Sequence, residues 1–582
     1  MLAMLAEGAT PEGKIPIPPT IQAVLAARLD RLGPGERAVI ELAAVVGKEF
    51  HDDAVVELVP EEARPFAPRH LKALVAKELL NPVRSLGPDR EALRFRHVLI
   101  QQAAYRAIPK RLRAELHERV AGWLQRNAGE GTAEFAEMAG YHLEQSYRYR
   151  TELGPVGEEE RELGSRAAEL LASAGRRAFG RGDMPAAVNF LQRSSSLLRK
   201  EDHARLELLN DLGYALFEIG ELEQANGVLA EAIEGAQAGR HREVELKAMV
   251  KLAHQRMYTN QEAVDVEGLI HDATAAIEAL DNLGDDLGDA RACCLLADAH
   301  WPRGEMMAAA EAAQRAAQRA RSARSRREEA WGLGAYVFAL LHGPTHAAQA
   351  AAITERLVRE AEGDMVLEAN LSGFLAAHEA MSGQFDAARA HIAQSNERLR
   401  DLGLKWQVGV QEHLGGYIEL FAGDPAAAER HMRIARDSFV AIGDSWSLST
   451  VSVDLPRPVY EQGRYDEARS LIAEIDEVPA PADREWQIKR TCLHARLLAR
   501  ERRFGEAERL AREAIAIATE TDQLWFHADA LIDLAEILRG AGRVREATGA
   551  AQDALRLYEC KGIVPSAARA RALVAELRSA AA

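Results

Sequence analysis

A chain of 582 residues exceeds what one ordinary hydrophobic core organises, so it either divides into domains or grows lengthwise as a repeat array. Apolar content of 47% with only 5% aromatic residues suits a largely helical protein, and no apolar run reaches the ~18 residues of a membrane span. The formal charge of −17 argues against wholesale nucleic-acid binding, and the N-terminus MLAMLAEGATPEGK lacks the basic start and cleavage site of a signal peptide, so the chain reads as cytoplasmic.

Residues 1–15 read as the remnant of an upstream helical domain, MLAMLAEG, followed by a linker. The proline-rich IPIPPT then leads in extended form into residues 16–130. There the pattern gives helix TIQAVLAARLDRL, a turn at Gly33-Pro34-Gly35, helix ERAVIELAAVVG, a short helix near DDAVVELVP and a longer one, RHLKALVAKELL. Two strand-like runs, NPVRS and ALRFRH, flank the turn chemistry of Leu86-Gly87-Pro88-Asp89. Three helices and a hairpin make a winged-helix domain, after which the helices VLIQQAAYRAI and KRLRAELHERVAGWLQR resume.

Residues 131–582 carry a repeat. A glycine, or a substitute, is followed five residues later by alanine at Gly182/Ala187, Gly220/Ala225, Gly304/Ala309, Gly343/Ala348, Gly383/Ala388, Gly423/Ala428, Gly463/Ala468, Arg502/Ala507 and Gly542/Ala547. Successive starts lie 38, 84, 39, 40, 40, 40, 39 and 40 residues apart, and the 84 contains one degenerate copy near position 262. Such a period predicts stacked helix pairs, about ten of them. Glycine ends the first helix by taking left-handed angles, and the alanine lets the second helix approach closely. Seven residues before the turn the first helix is small at Gly175, Gly213, Ala297, Ala376, Gly416, Ala495 and Ala535, while Tyr336 and Pro456 depart from the pattern. The segment from Leu212 to Ala232 resembles the tetratricopeptide repeat. Its ~40-residue spacing against the usual ~34 implies longer helices or loops. The fold expected is all-α: a winged-helix domain with a small β-hairpin, then a tetratricopeptide-like α-solenoid.

A second resemblance covers the N-terminal part. The runs IPPTIQAVLAARLDRLGPGERAVIELAAVVGKEF and RFRHVLIQQAAYRAIPKRLRAELHERVAGWL resemble the winged-helix region of bacterial signal-transduction ATPases with numerous domains, in the MalT-like subgroup often joined to an adenylate or guanylate cyclase. In that family a histidine after the ATPase core meets the β-phosphate of bound ADP. The resemblance carries this role to His97 in Phe95-Arg96-His97-Val98, with Arg96 beside it, although Val98 stands where some branches have an acid. A histidine opening a helix donates to phosphate with help from the helix dipole, or simply caps that helix. No G-x-x-x-x-G-K-[ST] loop is present, so ATP or ADP would be held only by an upstream domain, and this chain has no cofactor of its own. Its opening helix fits the downstream part of a larger protein.

Other candidates carry two readings each. Residues 90–119 hold eight basic residues against three acidic ones, suited to phosphates or to a solvated surface. Arg319 and Arg324 belong to a run of six arginines between Arg315 and Arg327 that either grips an acidic partner or forms a charged outer face. Trp406, Trp446, Trp486 and Trp525 recur 40, 40 and 39 residues apart, near the start of each first helix. They either line a ligand groove or pack each pair on the last. The four cysteines read as buried apolar groups in a reducing compartment, and His342 and His346, separated by Gly343-Pro344, share no helix face for a metal. No catalytic motif is found.

The function expected is therefore a non-catalytic sensor segment. A protein, peptide or small-molecule inducer on the concave face would act through the winged helix on an upstream nucleotide-binding domain. A free-standing repeat scaffold and a DNA-binding regulator are the alternatives.

Overall fold

The computed structural model describes residues 25, 27–84, 91–127, 132–259, 265–477 and 482–581. The opening helix, the IPIPPT linker and the Leu86–Asp89 turn lie outside them, as do residues 20–24 and 26 of helix TIQAVLAARLDRL. The chain forms two units, Met1–Glu245 and Leu246–Ala582.

In the first unit, Pro34–Val46 is a helix opened by proline at its first position and by the Glu36 carboxylate, which accepts from Gly33 N at 3.1 Å. Strand β1 (Glu49–His51), helix Asp52–Leu58, a 3₁₀ turn (Glu61–Phe66), helix Ala67–Ala76, and strands β2 (Leu80–Arg84) and β3 (Glu91–Phe95) follow. The sheet is antiparallel with order β1-β3-β2, and Leu93 of β3 sits between Phe50 and Pro82. Three residues show no period of two, so β1 was not expected from the sequence. Helices Val98–Ala107 and Lys110–Arg126 then lead to Thr132–Leu153.

One apolar core runs from Leu29 through Ile40, Leu74, Phe95, Trp123 and Leu143 to Leu171 and Leu197. This core has members on both sides of the boundary expected at residue 130. The sheet-bearing body and the first repeat helices are a single core.

Ten helix pairs are present among the described residues between Glu158 and Lys561, with single helices Thr132–Leu153 and Val564–Ala581 beyond them. Gly182, Gly220, Gly304, Gly383, Gly423, Gly463 and Gly542 turn with φ between 67° and 84°, and Arg502 adopts 60° in their place. Ala187, Ala225, Ala388, Ala428, Ala468, Ala507 and Ala547 are fully buried four residues into their helices. The degenerate turn near 262 lies outside the described residues, but helices Arg242–Thr259 and Val266–Leu283 stand on either side of it.

One register differs. Gly343 is extended at φ −81°, the next helix begins only at Ala347, and Ala348 is exposed while Ala350 is fully buried. Pro344 is the reason: it disfavours the helical region for Gly343 and delays the restart. At Pro456 the expected single helix divides into Ser445–Asp454 and Pro456–Glu461.

Helix Arg326–His342 approaches Met306–Ser322 so closely at Gly332 that an added Cβ would lie 2.8 Å from Ala317 N and 3.0 Å from Ala313 O. Alanine normally stabilises a helix by ~1 kcal/mol over glycine. Here backbone atoms must move, so Gly332→Ala is expected to destabilise by about 1–3 kcal/mol in chemical denaturation. An unchanged or raised midpoint would refute the close packing.

Candidate functional site

His97 lies two residues beyond the end of β3 and opens helix Val98–Ala107. Its Nδ1 accepts from Leu99 N at 3.2 Å, so the ring caps the helix, and the residue remains exposed. Capping fixes the tautomer with hydrogen on Nε2, which leaves a donor facing outward. The cap and a phosphate contact are thus compatible in one rotamer. Arg96, also exposed, pairs with Glu78 at 2.8 Å.

The tryptophans sit at the starts of first helices, and three of the four are buried: Trp446, Trp486 and Trp525. Trp446 meets Trp301 at 5.6 Å between ring centroids, and Trp525 lies 4.9 Å from Phe421 and 5.1 Å from Tyr417. Trp486 packs with Val453 and Ile475. Half-buried Trp406 stacks on Trp331 at 6.0 Å and donates from Nε1 to Asp444 at 2.8 Å. Three of the four rings are thus packed among buried side chains of the second unit, and Trp406 is half-buried.

Between them lies a buried charged cluster. Lys489 Nζ reaches Asp454 at 2.8 Å, Glu485 at 2.5 Å and the Tyr417 hydroxyl at 3.1 Å, and stands 4.4 Å over the Phe526 ring. His413 and Tyr417 also hold Asp454, at 2.9 Å and 2.7 Å. Burial pushes the Asp454 carboxyl up, but Lys489 and His413 outweigh it and keep the group well below the usual carboxylate range.

Arg319 is committed to Asp281 of the preceding helix pair and to Asp286 and Asp289 of its own, and Arg315 shares Asp289 at 3.0 Å. Arg324 is exposed, with a left-handed φ of 55° that closes the turn before helix Arg326–His342. The run is thus partly consumed in joining one pair to the next. Cys293, Cys294 and Cys492 are buried, whereas Cys560 is exposed.

An open groove occurs instead in the first unit. Helices Thr132–Leu153, Glu158–Gly180 and His203–Glu218, with the loop after Ser196, enclose about 1250 Å³. Ala168, Ala172, Leu197 and Leu208 form an apolar floor, and Tyr147 and Val156 close one end. Four guanidinium groups stand at its rim. Arg176 pairs with Asp211 at 2.8 Å, Arg199 pairs with Asp202 at 2.8 Å, and Arg177 bonds the Ser173 hydroxyl at 2.6 Å. Exposed Arg161 makes only a 3.5 Å bond to Val156 O among the described residues. No sequence motif marks this place, because its residues come from three helices at ordinary helical spacing.

Stacked helix pairs with glycine turns and buried alanines define a tetratricopeptide-like α-solenoid, a repeat scaffold suited to binding a protein or ligand. No helix among the described residues is long and apolar enough to cross a membrane. No protein-family model and no curated protein matches the chain. Similar solved structures include a Rap protein complexed with competence and sporulation factor, 11% identical over 71% of this chain and 98% of that one, with a TM-score of 0.38. The Cut9–Hcn1 hetero-tetramer of the APC/C is 9% identical over 80% and 92%, with a TM-score of 0.46. A signal transduction ATPase with numerous domains that has a tetratricopeptide repeat sensor, from Pyrococcus horikoshii, is 14% identical over 92% of this chain and 65% of that one, at a TM-score of 0.24.

Proposed function

We propose that the chain is the sensor and regulatory segment of a signal-transduction ATPase with numerous domains, in which a winged helix couples a repeat solenoid to an upstream nucleotide-binding module. The observation that carries this reading is the continuity of one core from the sheet-bearing body to the walls of the open groove. The order helix, β1, two helices, β2, β3 agrees with a winged helix. A segment seated on the apolar floor, with a carboxylate on Arg161, would shift helices that pack directly on that body. The outward Nε2 of His97 is then the donor to the β-phosphate of ADP.

The test uses the longer protein containing the nucleotide-binding domain. Asparagine at a helix N-cap still accepts from the backbone but lacks the imidazole donor. His97→Asn is therefore expected to leave thermal stability unchanged and to speed ADP release about tenfold, as loss of one hydrogen bond to a charged group implies. Unchanged release removes the phosphate role. A free-standing scaffold would bind its partner through Arg161 with no nucleotide-binding domain attached.

A further inference from the structure

In a solenoid each helix pair rests on its immediate neighbours. The second unit adds contacts between pairs that are not neighbours. Three successive loops in its C-terminal half fasten onto one earlier region. Arg484 N donates to Pro302 O at 2.7 Å, and Asp522 N donates to Gly304 O at 3.1 Å. The Asp522 carboxylate accepts from Met306 N at 2.9 Å and Met307 N at 2.7 Å, capping a helix 216 residues away. One repeat later, fully buried Lys561 donates to Leu340 O and Thr345 O, each at 2.8 Å. The surfaces meet tightly: a Cβ on Gly304 would lie 2.6 Å from Thr521, and one on Gly562 would lie 2.6 Å from His346.

We propose that the repeats from Arg484 onward form a detachable latch, which closes the aromatic interior of the second unit in cis and can release residues 302–346 while every neighbouring-pair interface stays intact. The occupant of the inner face is thus the chain's own C-terminal part, and release of the latch is the step that uncovers it. This inference rests on the second unit alone and does not depend on what fills the groove of the first.

Two features make the fastening reversible. Its hydrogen-bonded anchors are directed to backbone groups, which water can satisfy once they separate, and the apolar part of the contact, where the Trp525 and Phe526 rings pack on His342, is what opening exposes. Lys561 is also buried with no carboxylate touching it among the described residues. Burial pushes its amine down to about 7, opposed only by the field of Asp522. An ammonium held on two carbonyls in an apolar site stabilises closure far less than a paired charge does.

Hydrogen exchange of the full chain across low guanidinium concentrations tests this directly. In the wild type, peptides covering 302–307, 340–346 and 520–526 are expected to exchange together, through an opening with a weaker denaturant dependence than that of helices Met365–Met381 and Phe385–Asp401. Asp522→Ala should accelerate all three about tenfold, as should Lys561→Met acting at the other anchor. Exchange of these peptides only by global unfolding, in the wild type and both variants, overturns the latch. So does acceleration confined to the anchor that was altered, because the contacts would then be independent.

Discussion

Lys489→Met is expected to destabilise the second unit by about 3–5 kcal/mol, because it leaves the Glu485 carboxylate buried without its cation and Asp454 with only His413 and Tyr417. Methionine fills nearly the same volume, so the loss is electrostatic rather than a cavity. The triple change Asp454→Asn, Glu485→Gln, Lys489→Met should recover most of the stability, since amides need hydrogen bonds but no counter-charge. Chemical denaturation followed by helical circular dichroism measures both. A loss below about 1 kcal/mol for the single change would mean that water reaches the cluster and screens it.

Acid should unfold the protein in a defined window. Burial holds the imidazoles of His142 and His342 down to about 4 and that of His378 to about 3, and it lowers His117 as well. His117 and His142 act as a satisfied pair: His117 Nδ1 meets His142 Nδ1 at 2.8 Å, and the Tyr105 hydroxyl meets His117 Nε2 at 2.7 Å. Each ring titrates near 6.5 when unfolded, so between 6.5 and about 4 the unfolded chain binds more protons than the folded one. The stabilisation is complete above 6.5 and is lost as pH falls through that interval, by roughly 3 kcal/mol per ring at full titration. Asp483 acts oppositely: burial, with Glu485 beside it, pushes its carboxyl up to about 7, so it gains a proton on folding and favours the native state as pH drops. The imidazoles outnumber it. Stability measured by denaturant at pH 7, 6, 5 and 4.5 should fall by several kcal/mol, with a shallower slope in His378→Leu. A flat profile would mean that these rings are hydrated.

Most of the solenoid is legible in the sequence because its turn has a local cause. Gly423 and Gly463 adopt left-handed angles that other residues resist, and Ala428 and Ala468 sit where a larger side chain would separate two helices. The same local rule misplaced one register: proline after Gly343 forbids the usual turn, so Ala350 rather than Ala348 became the buried residue. What the periodic residues touch was not legible. The tryptophan spacing marks helix starts, yet the partners of Trp446 and Trp525 come from pairs far away in sequence. Arg319 reads as a free charge until the fold brings three aspartates to it. The groove under Arg161 left no pattern either, since its lining residues have no common spacing.

The undivided core from Leu29 to Leu197 has a mechanical meaning. Where two bodies meet through a soft joint, a push on one is dissipated in bending. Here the sheet at one end and the groove lining of Ala168 and Leu197 at the other belong to one packed core, so a tilt imposed at those residues is expected to carry β3 and His97 with it. Whatever neighbour rests against that strand would feel a displacement that grows with its distance from the groove.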